Sequence, residues 1–265
     1  MNLNLNHPVA FVPTMGALHA GHESLIRIAK ELADEVVVSV FVNPLQFENA
    51  EDFSIYPKMV DADRKLAEAS GCSFVWFPTF EELYPDDPKI ISAGEIGNLF
   101  EGMHRFGHFD GVLTVVQRLF GLIKPEFAVF GEKDFQQLFL VKQMVANLDL
   151  PVSIISAPTI REASGLAISS RNSRLTITEQ ANASGIAAAL EAASSAKDLV
   201  MARSNLLSEL KKIPGFALDY AEIIDETSFE IATTTTRQPR AIVAGWINGV
   251  RLLDNKAMLQ PGTSK

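Results

Sequence analysis

The sequence predicts an α/β fold, a doubly wound parallel sheet, followed by a smaller C-terminal α+β domain. Three observations predict it. Apolar runs rich in β-branched residues alternate with helical patterns over residues 1–160. Those runs are continuous, as in strands covered on both faces of a parallel sheet. From residue 161 the order changes to helices first and strands afterwards, the pattern of a small α+β domain over 161–265.

Taken in order, "VAFVPT" (9–14) reads as a short strand. Residues 22–33 place Leu25, Ile28, Ala29 and Leu32 on one helical stripe. "EVVVSVFVNP" (35–44) is a buried strand that ends in Asn-Pro, and a charged helical pattern lies near 58–69. "CSFVWFP" is the next strand. The run from 111 to 124 puts Val112, Val115, Val116, Leu119, Leu122 and Ile123 on one helix face. "FAVFGEKD" is a strand leading into a helix over 135–148, and "VSIISAPTI" is the strand after it. "REASGLAISSRNSRL" (161–175) is polar and rich in serine and arginine, a loop or linker. Thr176 and Glu179 have capping-box spacing before an alanine-rich helix. A second helix covers about 198–212. "FALDYAEIID", "RAIVAGWING" and "VRLLDN" read as strands, and "TTTTRQPR" as a mobile loop. The first domain is therefore Rossmann-like.

Composition narrows the function. The chain has 265 residues, 47% of them apolar, and a net charge of −9. That balance argues against a nucleic-acid backbone binder, while a local cluster of donors can still hold an anion. One cysteine, Cys72, rules out an internal disulfide and reads as a packed thiol. Apolar stretches fall short of a membrane span, and "MNLNLNHP" lacks a signal-peptide pattern, so the cytoplasm is the expected setting. Trp76 and Trp246 sit in apolar strand runs and are expected in the core. Asp61 and Asp63 lie on the charged helix and are expected on a solvated face.

Ligands of open α/β sheets collect at the carboxyl ends of strands, and several unusual clusters fall there. "PTMGALHAGH" places His19 and His22 at the start of a helix whose free N–H groups attract phosphate. Gly16 and Gly21 let the backbone approach a ligand. Lys133 of "GEKD" can neutralise phosphate as a compact cation, and Asp134 can cap the next helix with Gln137 at the capping-box position. "ISSRN" (168–172) offers hydroxyls and an arginine fork to a polyanion. Asn43 and Gln46 follow a buried strand, where their amides can take hydroxyl or carboxylate groups or simply form an Asx turn. "FEGMHRFGHFDGV" reads as a loop that orders on a ligand, with packing or turn roles for His104 and His108.

"PTMGALHAGHESL", "SVFVNPLQF", "GHFDGVLTVV", "FGEKDFQQL" and "GLAISSRN", in this order, closely resemble the pantoate–β-alanine ligase family. H-x-G-H alone is shared by a wider nucleotidyltransferase superfamily, and an enzyme of that kind acting on a phosphorylated acceptor is the alternative. A nucleotide-binding module without turnover is the third class. The resemblance implies ATP-dependent condensation of pantoate with β-alanine through pantoyl adenylate, with release of pyrophosphate and AMP. It implies that ATP is bound by Met15, Gly16, Ala17, Leu18, His19, Ala20, Gly21 and His22, with His22 as proton donor. It adds Gly131, Glu132, Lys133 and Asp134, and Ile160, Ile168, Ser169, Ser170 and Arg171. His22, His19 and Lys133 are the implied catalytic set. Gln46, Gln137 and Asn43 are the implied substrate-binding groups. Mg2+ is expected with ATP, and Asp63 is the weak candidate to bind it; no protein ligand is assigned. A homodimer is expected, and the smaller domain is suited to be a lid. Three departures stand out. The chain starts only a few residues before the first strand, where a helix is usual. Phe106 replaces a proline, and Ser164 stands where an aspartate is common.

Overall fold

The structure, a computed structural model, describes residues 5–48, 53, 54 and 56–258. The first four residues of "MNLNLNHP" lie outside them. The chain divides into two compact units, one of the residues up to Glu132 with Gln136–Pro158, the other of Lys133–Phe135 with the residues from Thr159 on.

The first unit contains β1 (Val9–Thr14), α1 (Ala20–Leu32), β2 (Glu35–Val40), α2 (Val60–Ala69), β3 (Phe74–Trp76) and α3 (Phe80–Leu83). α4 (His108–Ile123), β4 (Phe127–Gly131), α5 (Phe135–Asn147, its first residue in the second unit) and β5 (Ser153–Ala157) follow. The sheet order is β3-β2-β1-β4-β5, and every pair is parallel. Val9, Ala10, Phe11 and Val12 of the central strand are fully buried, as are Val36, Val37 and Val38 beside them. Continuous burial explains why these strands lack polar alternation. The order reverses between β1 and β4. The loops leaving those neighbouring strands therefore open the crevice where such sheets take ligands. The β1 loop carries H-x-G-H, and the β4 loop begins at Gly131.

Cys72 packs against the core of this unit. Burial, with the Glu68 carboxylate adding to it, pushes its thiol up to about 11, so it is inert at neutral pH. Trp76 is buried, as expected.

The second unit stacks helices on a three-stranded antiparallel sheet. α6 (Ile177–Ala183), α7 (Gly185–Ser194) and α8 (Leu199–Leu210) precede β6 (Phe216–Asp225), β7 (Pro239–Ile247) and β8 (Val250–Ala257), in the order β6-β7-β8. The Thr176–Glu179 capping box forms and starts α6, and the alanine-rich segment is two helices that meet at Ser184. Ile186, Leu190 and Leu206 pack against Ile223, Val243 and Leu252. Thr233 and Thr236 close the polar loop before β7 by two hydrogen bonds. Trp246 departs from expectation: it is 39% exposed, and its indole N–H donates to Asp219. Helices cover one face of this sheet, and the Trp246 position belongs to the other. Among the described residues no helix is long and apolar enough to cross a membrane.

Glu126 ties the start of the central strand. Its carboxylate accepts from the Val9 N–H at 2.7 Å, and its own N–H donates to the Val9 carbonyl. That backbone donor, with His7 beside it, holds the carboxyl below its ordinary 4.5. A depressed carboxyl adds stability above its unfolded value, and the gain is lost as pH falls through the folded one. Glu126→Gln keeps an acceptor for Val9 and removes the charge. The thermal midpoint of the variant is therefore expected to fall less steeply than that of the parent below about pH 4.5. Identical slopes in a pH series of melts would remove this role.

Candidate active site

The loop after β1 is built from backbone donors and one buried acid. Thr14 turns the chain: its hydroxyl donates to the Ser39 carbonyl at 2.8 Å and accepts from the Gly16 N–H at 3.3 Å. Gly16 has φ +89° and Ala17 φ +50°, so two successive residues lie in the left-handed region. Beneath them sits Asp63 of α2, 2% exposed. One oxygen accepts from the Ala17 N–H at 3.1 Å and the other from the Leu18 N–H at 2.7 Å. A Cβ on Gly16 would lie 2.9 Å from that carboxylate, so the position needs glycine for contact as well as for φ. The expectation of a solvated Asp63 is thus corrected, because its surroundings are set by a loop about 45 residues away in sequence. Asp61 is exposed, as expected.

The two histidines cap α1 in an unusual way. His19 is the N-cap residue, and its Nδ1 accepts from the Gly21 N–H at 3.1 Å. His22 Nδ1 accepts from the His19 N–H at 3.3 Å, which completes a reciprocal capping box. A backbone N–H only donates, so Nδ1 of both rings carries the lone pair and the neutral tautomers hold their proton on Nε2. The ring centroids lie 4.1 Å apart. A Cβ on Gly21 would come within 2.8 Å of the His19 ring, which explains the glycine of H-x-G-H.

Gln46 lies beside this loop, its amide nitrogen 2.8 Å from the Met15 sulfur. Asn43 forms the Asx turn, its oxygen accepting from the Leu45 N–H. Its amide nitrogen donates to the Gly111 carbonyl at 3.0 Å and to Gln46 Oε1 at 3.3 Å. His108 is buried and its Nδ1 donates to the Gln46 carbonyl at 2.8 Å, so its role is support. Gln136, also buried, donates to the carbonyls of Ile96 and Leu99 and accepts from the Glu101 N–H, so it holds the segment before α4. Gln137 beside it is half-buried, as is Lys133 of the short 3-10 turn Glu132–Asp134, whereas Asp134 is exposed. Phe106 is 80% exposed, next to the left-handed Gly107 that precedes α4.

The second unit brings together another set. Lys133, Ser169, Arg171 and Arg251 line one cleft. Ile168 donates through its N–H to the Ile160 carbonyl, and Ser169 caps the 3-10 helix Ser170–Arg174 by accepting from the Arg171 N–H. Ser164 accepts from the Leu166 N–H within the tight turn that precedes this segment, a bond an aspartate could also accept.

Comparison with known proteins gives the family. The pantoate–β-alanine ligase family matches residues 2–257. The chain belongs to that family. The pantothenate synthetase of Acidothermus cellulolyticus is 49% identical over 262 residues, covering 96% of this chain and 86% of that protein. That of Cytophaga hutchinsonii is 43% identical, covering 96% and 93%. The crystal structure of the Thermus thermophilus pantothenate synthetase superposes with a TM-score of 0.91 at 40% identity, over 94% of this chain and 93% of that one. The Francisella tularensis ligase, solved with β-γ ATP and β-alanine, gives a TM-score of 0.78 at 36% identity, over 98% and 93%.

In this chain the quoted motifs fall into two local sets. Met15, His19, His22, Asn43 and Gln46 belong to the first unit, and Lys133, Ile160, Ile168, Ser169, Ser170 and Arg171 to the second. The packing role expected for His108 is what the structure shows. Sequence reasoning did not single out Gln136 or Arg251, although both lie within quoted motifs, and Asp63 is identical in kind to exposed Asp61 two residues earlier. Removing the acid leaves two loop N–H groups without this acceptor, at about 1–3 kcal/mol for each that stays dry. Asp63→Ala is therefore expected to destabilise the fold by about 2 kcal/mol or more, and Asp61→Ala by less than about 0.5 kcal/mol. Urea unfolding of both variants decides; equal midpoints would deny Asp63 its place under the loop.

Proposed function

We propose that this chain joins pantoate to β-alanine in two steps on ATP. A pantoate carboxylate oxygen attacks the α-phosphorus, the bond to the bridging oxygen breaks, and pyrophosphate leaves. The β-alanine amine then attacks the acyl carbon of pantoyl adenylate, the acyl–oxygen bond breaks, the amine releases a proton, and AMP leaves. The observation that carries this reading is the reciprocal capping box, which turns two neutral imidazoles into Nε2–H donors at a helix N-terminus.

Charge grows on the α-phosphate and the leaving pyrophosphate. Donors oriented beforehand toward that charge lower the barrier without reorganising. In this reading His19 and His22 donate to phosphate oxygens, and His22 hands its proton to the leaving group. Lys133, Ser169, Ser170 and Arg171 act on phosphate oxygens as compact cation, hydroxyls and planar fork. The main-chain groups of Met15–His22, Gly131–Asp134, Ile160 and Ile168 line the nucleotide. Gln46 and Gln137 hold pantoate, with Gln46 also placed for β-alanine, while Asn43, expected among these groups, is buried with its amide on Gly111 and Gln46 and supports Gln46 instead. No covalent nucleophile is required, because holding the carboxylate in line with phosphorus supplies much of the acceleration.

Magnesium belongs to the reading as the partner of ATP, where it would neutralise phosphate charge. Asp63 does not fit as its ligand, since both oxygens already accept from backbone N–H groups. Among the described residues no cluster of three or more His, Cys, Asp or Glu could hold a metal. In this reading the ion arrives on the nucleotide with most of its waters. A homodimer and a cytoplasmic setting complete the proposal.

His22→Ala and Lys133→Ala are each expected to slow adenylate formation by about 100-fold or more, the scale of losing a donor to developing charge. Pyrophosphate release with ATP, magnesium and pantoate alone measures that step. Near-normal rates in both variants would reject the assignment, as would AMP formation independent of pantoate. Gln46→Ala is expected to raise the pantoate KM and leave ATP affinity close to the parent's. The reverse pattern in substrate titrations would move Gln46 to the nucleotide.

A further inference from the structure

Arg240, Asp254 and Asn255 form a buried polar network in the second unit with no part in the chemistry above. Arg240, Asp254 and Asn255 are each 5% exposed. Groups of this kind are costly in a core unless they are well engaged, and these are. Arg161 grips Asp254 through two bonds of 2.6 and 2.9 Å, and Asp254 in turn accepts from the Asn255 N–H at 2.8 Å. Arg240 donates to the Asn255 side-chain oxygen and to Glu226 at 2.7 Å. The network ends on the three-residue segment that carries the lysine. Asn255 Nδ2 donates to the Lys133 carbonyl at 2.9 Å. The Arg240 guanidinium lies 4.0 Å over the Phe135 ring, which stacks on Phe229 with 6.0 Å between centroids. Lys133 and Phe135 are thus held from either side of exposed Asp134.

The chemistry of the bridge selects its residue type. A guanidinium can only donate, and a main-chain carbonyl can only accept. The group between them must accept on one side and donate on the other. A carboxamide does both, in a single orientation, and a carboxylate of the same size cannot.

We infer that Asn255 is a positioning residue for Lys133: its amide fixes the lysine carbonyl, and Arg240 fixes the amide. The inference rests on the phosphate role proposed above for Lys133. Its content is that the strand motif "VRLLDN" sets where the lysine side chain starts. A reacting group misplaced by about 1 Å loses on the order of 100-fold in rate.

Asn255→Asp tests it, because it keeps size and the acceptor for Arg240 and removes the donor to Lys133. Pantoate-dependent pyrophosphate release is expected to fall by about 10- to 100-fold in kcat, with the pantoate KM unchanged. In a Lys133→Ala background the same substitution is expected to cost less than about 3-fold, since two residues acting through one group are not additive. If Asn255→Asp alone stays within about 2-fold of the parent while Lys133→Ala is slow, the positioning role is overturned and the lysine's phosphate role stands. A full additional loss in the Lys133→Ala background also overturns it, because Asn255 would then act by another route. If Lys133→Ala itself keeps the parental rate, the phosphate role fails and the positioning role falls with it. Should the carboxylate prevent folding, Asn255→Ala in the same cycle removes both bonds without adding charge, and the same outcomes decide.

Discussion

A carboxylate buried beneath a loop, with each oxygen on a backbone N–H, sets the path of the loop after β1. Asp63 holds Ala17 and Leu18 in place. It does so where Ala17 has φ +50°, a conformation that costs on the order of 1 kcal/mol for a residue with a Cβ. That strain persists only when the surroundings over-determine it. Here Gly16 is locked between Asp63 and Val40 on one side, and His19 closes the helix cap on the other. The orientation of the imidazoles follows from the same backbone. Because the Gly21 and His19 N–H groups engage Nδ1 of His19 and His22, the Nε2 edges are the ones presented as donors. Tautomer, ring direction and loop path are then one problem with one solution, settled before any nucleotide arrives. Preorganisation of this kind is what distinguishes a donor that speeds a reaction from one that merely binds.

How much of this is legible in the sequence depends on how far each determinant reaches along the chain. Strands β1, β2 and β4 are readable because a parallel strand covered on both faces needs apolar residues at every position. The Thr176–Glu179 box is readable because its partners are three apart. The five quoted motifs in their order carry the family, and within "PTMGALHAGH" local backbone geometry demands Gly16 and Gly21. Trp246 and Asp63 defeat a local reading for the opposite reason. The tryptophan sits in an apolar run, yet it lies on the face opposite the helices near the end of β7, where Asp219 and Arg251 surround it. Asp63 belongs to a charged helix whose composition describes Asp61 well, and nothing in the residues of α2 tells which of the two acids meets the β1 loop.

The supports also explain why polar residues occupy the interiors of both units. An apolar core of the same volume would often be as stable as a buried ion pair. What Asp63, Arg240 and Asn255 add is direction: each hydrogen bond fixes the place of its partner atom, which dispersion contacts alone do not specify. Reacting groups need positions held to within about 0.5 Å, and the second layer around them supplies that. The sheet of the second unit therefore has two jobs. Its apolar face packs on α7 and α8, and its polar residues on β7 and β8 grip the lysine segment.

A net charge of −9 looks unsuited to a substrate as anionic as ATP. The conflict dissolves on the scale at which charges act. At physiological salt, exposed charges more than about 8 Å apart are largely screened from one another. A cation about 4 Å from a phosphate in a half-buried cleft is worth about 4 kcal/mol before desolvation. Lys133 and Arg171 share such a cleft with Arg251, which pairs with Asp219, and Asp254, which pairs with Arg161, so the field there is set by these local charges and not by the acidic helices elsewhere on the surface. The acidic balance instead disfavours long polyanions, which must lie across much of a protein's surface. A small anion within one cleft answers to the few charges that line it rather than to the mean charge of the surface.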